Sequence, residues 1–175
     1  MHRRAVLWSV AGVAASPAEA LAQCRPTNRA TRVSDARSAL LREARADVGR
    51  NVGQDCKNWM RTVVARAIPG CVVPATSPNA DGYMWAQSSG WSGMSAPLEN
   101  LTAGQILQMR LFTRSGPIPH TSLVSARSRT SLTLVHSNFR ITNTVTEDSF
   151  SFADFYNRIR DPGGTYRYSV YSLAF

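Results

Sequence analysis

Four residues of this 175-residue chain have side chains suited to nucleophilic chemistry in a common site: Cys56, His120, His136 and Asn138. Cys56 stands where a short loop, Arg50 to Asp55, passes into a segment with helical periodicity. A thiol attacks as the thiolate, which a helix N-terminus and a neighbouring imidazolium both favour. A histidine can take the thiol proton and later return it to a leaving amine. A third polar group is then needed to fix the tautomer and orientation of that histidine, and asparagine is able to do so. His136 and Asn138 are two apart on an expected strand, so both point to one face of the sheet. If that sheet packs on the Cys56 helix, one face offers the thiol a base and an orienting group. Asp55 works the other way, because a carboxylate beside the thiol opposes its ionisation. Three of the four also have a plainer reading: Cys56 as a buried or disulfide thiol, His120 as a strand-start histidine, His136 as a surface or groove residue.

The elements that must position these residues follow from periodicity. From Ser34, the residues Ala36, Ala39, Leu40, Ala44 and Val48 recur at helical spacing, with Asp35 suited to the first turn and Gly49 as the stop. A second helix is expected from about Cys56 to Ala67. Trp59, Met60, Val63, Val64 and Ala67 form its apolar face, and Ile68-Pro69-Gly70 ends it. Residues 70–100 are rich in Gly, Ser, Pro and Asn, with Tyr83, Trp85 and Trp91 interspersed. That composition predicts a disordered insert or a surface loop whose aromatics line a groove or pin the loop to the core. Beyond Leu101 the period becomes extended, with strands expected at 105–112, 120–126, 131–139, 141–146 and 166–173, and a short helix over 152–159. Helices followed by closely connected strands describe an α+β domain, its N-terminal helices packed on an antiparallel sheet. The length suits one such domain.

Residues 1–22 read as a secretory signal peptide. They run from a basic start at His2, Arg3 and Arg4, through an apolar stretch from Ala5 to Ala15, to an Ala20-Leu21-Ala22 ending before Gln23. A lipoprotein anchor on Cys24 is the rival reading; Gln23 is bulky where such signals carry a small residue. The expectation is therefore a periplasmic or secreted protein with no stable membrane anchor, expected to be a monomer. Residues 23–49 make an N-terminal arm and helix, and 50–175 the remaining domain. Removal of Arg3, Arg4 and Glu19 takes the formal charge from +9 to +8, which favours an anionic partner. The arginines are scattered, and export adds to the case against nucleic acid. Exported cysteines tend to pair, yet three cannot all pair within one chain. The preferred pairing is Cys24 with Cys71, which leaves Cys56 free; the other pairings stay open. Two histidines without a cysteine or carboxylate at ligand spacing make no zinc site, and no cofactor is expected.

Order and flanking residues add a resemblance. Gly53-Gln54-Asp55-Cys56 opens a helix and Leu101-Thr102-Ala103-Gly104-Gln105-Ile106 enters a strand; Pro119-His120-Thr121-Ser122-Leu123-Val124 and Val135-His136-Ser137-Asn138-Phe139 follow. This series resembles the CHAP amidase/peptidase family of the papain-like NlpC/P60 superfamily, from about Arg50 to the C-terminus with 70–100 unmatched. The resemblance implies a papain-like NlpC/P60-CHAP fold and an exported cysteine hydrolase that cleaves amide or peptide bonds of peptidoglycan, the anionic cell wall. It also implies Cys56 as nucleophile, His120 as general base and Asn138 as orienting residue. The chain departs from the family in three places. Asp55 is an extra residue between Gln54 and Cys56, His136 stands where the family commonly has glutamate, and Gly104-Gln105 replaces Gly-Asp. Two alternatives remain: a non-catalytic wall-binding module of the same fold, and a transglutaminase-like cysteine peptidase acting on protein.

Overall fold

The computed structural model describes residues 33–69, 71, 91–94 and 97–173. The expected leader, the arm and Cys24, with most of the 70–100 segment, lie outside the described residues. The two expected helices are present. Helix α1, Val33–Ala46, turns Ala36, Leu40 and Ala44 into the core at one-turn spacing. It gives way before Val48, and Gly49 adopts φ +84. Helix α2, Cys56–Ala67, buries Trp59, Met60, Val63 and Val64. Burial of each large side chain is worth about 1.5–3 kcal/mol relative to exposure, so this face anchors the helix. Trp59 also donates its indole N–H to Asp47 Oδ2 at 3.0 Å, and Arg66 completes that carboxylate's pairing.

Among the described residues, six antiparallel strands form one sheet in the order β1-β6-β2-β3-β4-β5. They are β1 (Trp91–Met94), β2 (Ile106–Thr113), β3 (Gly116–Arg127), β4 (Ser131–Ser137), β5 (Val145–Ser151) and β6 (Tyr168–Leu173). The architecture is α+β with an antiparallel sheet, as expected. Helix α3, Phe152–Ile159, follows β5, and Ser151 caps it by accepting the Asp154 N–H.

Alternation divides the sheet residues between two cores. Ile106, Leu123, Val135 and Val145 turn toward α1 and α2. Leu107, Met109, Val124, Leu134 and Phe150 turn to the other face, where α3 adds Phe155 and Ile159.

Three sequence expectations are corrected. Trp91, read as a loop aromatic, lies in β1, which pairs with β6 through Trp91↔Leu173 to Met94↔Val170. The strand expected at 141–146 lies instead at Val145–Ser151, because Asn138 (φ 58) and Asn143 (φ 54) adopt left-handed backbone and turn 138–144 into a loop. Consequently β4 stops at Ser137, short of the expected 139, and Asn138 does not continue its alternation. Finally, β3 begins at Gly116 rather than 120, taking Pro117 and Pro119 into the strand.

Those prolines matter for the site. Each lacks an N–H, so neither can sit where β3 must donate to β2, and the donors toward β2 fall on the alternate residues. Pro117, Pro119 and Thr121 share the opposite direction, away from β2. On that side the β3–β4 register begins only at Leu123↔Val135. The Thr121 N–H therefore points into an open strand edge.

Candidate active site

Helix α2 starts beside that open edge. Ser137, the last residue of β4, donates its hydroxyl to the Gln54 carbonyl at 2.8 Å, and Asn51 bridges Thr144. These contacts hold the loop before α2 against the strand ends. Asp55, between Gln54 and Cys56, is the N-cap of α2. Its Oδ1 accepts from Lys57 N at 3.0 Å and from Asn58 N at 2.7 Å. Capping residues of this type fold the chain out of the helix immediately before its first residue, which here is Cys56. The cap uses the amides of Lys57 and Asn58 and leaves that of Cys56 uncommitted to it.

Cys56 is half-buried and is a free thiol; Cys71 is disulfide-bonded. Burial pushes the Cys56 thiol up to about 11. The Thr121 backbone N–H, with those of Lys57 and Cys56 itself, pulls the other way, and the Asp55 charge pushes it up further. The resting sulfur is thus a thiol, held beside the strand residue that follows His120.

His120 and His136 are both buried, at 6% and 1% exposure. They share the face of Val124 and Leu134, where Phe139 stacks on His136 at 4.3 Å between ring centroids and also contacts His120. His120 Nε2 lies 3.2 Å from His136 Nδ1, and His136 Nε2 lies 3.0 Å from Asp148 Oδ2. Asp148 in turn pairs through Oδ1 with Arg140 Nε at 2.7 Å and accepts from the Thr146 hydroxyl at 2.8 Å. A single file of hydrogen-bonding groups thus runs from β3 through β4 to β5. Burial, and then the neighbouring His136, push His120 down to about 3, so its imidazole is neutral. Burial also lowers His136, with Asp148 opposing. Burial alone would raise the Asp148 carboxyl, but hydrogen bonds from His136 and Thr146 and the Arg140 charge hold it below the usual carboxylate range.

Of the four residues singled out in the sequence, the structure joins His120 to His136 directly, on the sheet face turned away from α2 rather than the α2 face expected from the sequence, and sets Cys56 beside the Thr121 amide next to His120. It does not join Asn138 to them. That residue is exposed, and its Oδ1 accepts the Asn143 N–H at 3.1 Å, so its carboxamide holds the 138–144 turn. The place beside His120 expected of Asn138 is taken by His136, and Asp148 is a further member of the hydrogen-bonded file that the sequence did not point to. The available signal was the alternation Thr146-x-Asp148, two polar residues on one face of a strand, but that strand had been expected to end at 146.

Along the outer side of α2 runs an open groove of about 680 Å³, lined by Gln54, Asp55, Asn58, Arg61, Thr62 and Asn143 among others. It adjoins the residues just before Cys56 and is polar. Among the described residues, no group of three or more His, Cys, Asp or Glu side chains converges as a metal site, and no helix is long and apolar enough to cross a membrane.

No family model and no curated protein matches the sequence. Solved structures do match the fold. A crystal structure of Ly7917 aligns with a TM-score of 0.57 at 21% identity, covering 80% of this chain and 62% of that one. A crystal structure of Ly7917 with the hydrolyzing product of MDP aligns with a TM-score of 0.55 at 19% identity, covering 78% and 63%. This chain therefore spans less than two thirds of the length of the structures it matches, and at such identity the likeness is one of fold.

Proposed function

We propose that this protein is an exported cysteine hydrolase of the papain-like CHAP and NlpC/P60 kind, cleaving amide or peptide bonds of peptidoglycan. The observation that carries the reading is the conjunction of the free thiol at the first residue of α2 with a buried, hydrogen-bonded histidine pair one residue from the amide that the thiol contacts. Further support comes from the structural neighbour captured with the hydrolyzing product of MDP, a peptidoglycan fragment. The basic charge suits an anionic wall, and the leader-like first 22 residues suit export.

In this reading the Cys56 sulfur attacks the scissile carbonyl while its proton passes to the neutral His120 imidazole. Because the resting group is a thiol, proton transfer accompanies attack rather than preceding it. His136 holds His120 in place through the 3.2 Å contact. The Cys56 backbone N–H at the start of α2 is suited to the developing oxyanion. His120 then protonates the leaving amine, and water, activated by the same imidazole, releases the acyl group from sulfur. No metal enters the scheme.

The test is clearing of purified cell walls by the mature protein and by Cys56→Ala. Loss of clearing in the variant is expected. Equal clearing by both, or none by a folded wild type at any pH, overturns the hydrolase reading. The raised Cys56 thiol favours one second reading, a non-catalytic wall-binding module. Wall pelleting without clearing, undiminished by Cys56→Ala, is its signature.

A further inference from the structure

We propose that Asp148 is the positioning residue that sets the tautomers of both buried histidines, leaving the His120 Nδ1 lone pair available for the thiol proton of Cys56. The argument starts at the carboxylate and runs inward. Asp148 receives Arg140 Nε on Oδ1 at 2.7 Å and the Thr146 hydroxyl on Oδ2 at 2.8 Å, so both of its oxygens act as acceptors. The contact of Oδ2 with His136 Nε2 at 3.0 Å then requires the proton on that nitrogen. A neutral imidazole carries one N–H, so His136 Nδ1 is a lone pair. That lone pair faces His120 Nε2 at 3.2 Å, which must therefore be the protonated nitrogen of His120. His120 Nδ1 is left bare, with no hydrogen-bond partner among the described residues. The reverse arrangement would set the His136 Nε2 lone pair against a carboxylate oxygen at 3.0 Å. A doubly protonated His136 would be a cation at a 1% exposed site.

Asp148 touches neither the thiol nor a bond being broken; it acts through two imidazoles. Its role in activity rests on the hydrolase reading above, whereas the tautomers do not. The informative variant is Asp148→Asn, because Arg140 decides how the new carboxamide sits. Arg140 Nε is a donor, so the carboxamide oxygen turns to it and the NH₂ group takes the place of Oδ2, facing His136. The Thr146 hydroxyl rotates to accept. His136 Nε2 must then be the acceptor, His136 Nδ1–H donates to His120 Nε2, and the proton of His120 moves to Nδ1, where it blocks the base.

The experiment is ¹⁵N NMR of histidine-labelled protein, with wall clearing measured on the same samples. In the wild type both histidines are expected to carry their proton on Nε2, and in Asp148→Asn on Nδ1. Clearing is expected to fall by about 10³-fold or more, the scale on which a wrong tautomer acts in triads of this logic. A proton on His120 Nδ1 in the folded wild type overturns the proposal, even if the variant fails to fold. So does an unchanged spectrum in a folded Asp148→Asn. A wild type with the expected tautomers but no hydrolysis would sink the enzymatic reading while leaving the relay standing.

Discussion

In the proposed hydrolase, the protonation state of Cys56 at rest decides between a preformed ion pair and coupled proton transfer, and alkylation reads it directly. Burial, assisted by the Asp55 charge, pushes the thiol from 9.0 to about 11. Two pH units of displacement reduce the thiolate fraction near neutrality by about 100-fold. A more basic thiolate is also a better nucleophile, by about 6- to 10-fold for a Brønsted slope of 0.4–0.5, so the net expectation is about a tenfold slowing against an ordinary exposed cysteine. Iodoacetamide rates followed by mass spectrometry on the native protein suit this measurement, because Cys56 is the free thiol among the described residues. The rate should climb about tenfold per pH unit without a plateau below pH 10. Asp55→Asn keeps a capping side chain but removes the charge. A neighbouring unit charge in water-like dielectric is worth on the order of 1 kcal/mol, so a gain in thiolate of up to about fivefold is expected. A plateau anywhere between pH 4 and 8, or alkylation faster than free cysteine, would mean a resting thiolate–imidazolium pair and would refute the coupled-transfer reasoning.

Two further outcomes follow from the same residues. Asp55→Ala removes the acceptor of two α2 amides, so it should lower stability by about 1 kcal/mol in urea unfolding, while Asp55→Asn should stay within a few tenths. A group whose folded pKa lies above its unfolded value keeps its stabilising effect below the unfolded pKa and loses it as pH rises through the folded one. Stability should therefore fall between pH 9 and about 11, by up to about 3 kcal/mol from Cys56, and the difference between wild type and Cys56→Ala should isolate that part.

The helices were legible in the sequence because their signals are local. The apolar face Trp59, Met60, Val63 and Val64 has one-turn spacing, and Ile68-Pro69 closes the segment whatever lies around it. Strand boundaries were less legible where they depend on single left-handed residues. Asn138 and Asn143 are ordinary strand-adjacent polar residues on paper, and only their positive φ turns 138–144 into a loop and moves β5 from 141 to 145. The short β1 was illegible for a different reason. Trp91-Ser92-Gly93-Met94 has no strand pattern of its own and is held by its partner β6, some 80 residues away.

The site divides along the same line. Cys56 at a helix start and His120 after a Pro-x-Pro stretch are local features, and both were read as candidates. The His136–Asp148 contact is a cross-strand neighbour set by the β4–β5 register, in which Leu134 pairs with Asp148 and His136 with Thr146. A strand misplaced by four residues hides it. Asp55 shows how a local reading can find one effect of a residue and miss another. As a carboxylate next to the thiol it is expected to oppose ionisation. In the structure it does oppose ionisation, yet as N-cap it is also what makes Cys56 the first residue of α2. Pro117 and Pro119 complete the arrangement from the other side. Their missing donors put the hydrogen bonds of β3 to β2 on the alternate residues, which leaves the Thr121 N–H turned outward at an edge that β4 has not yet reached. Had β4 paired with β3 two residues earlier, that amide would have been spent within the sheet, and the sulfur would have lost its help.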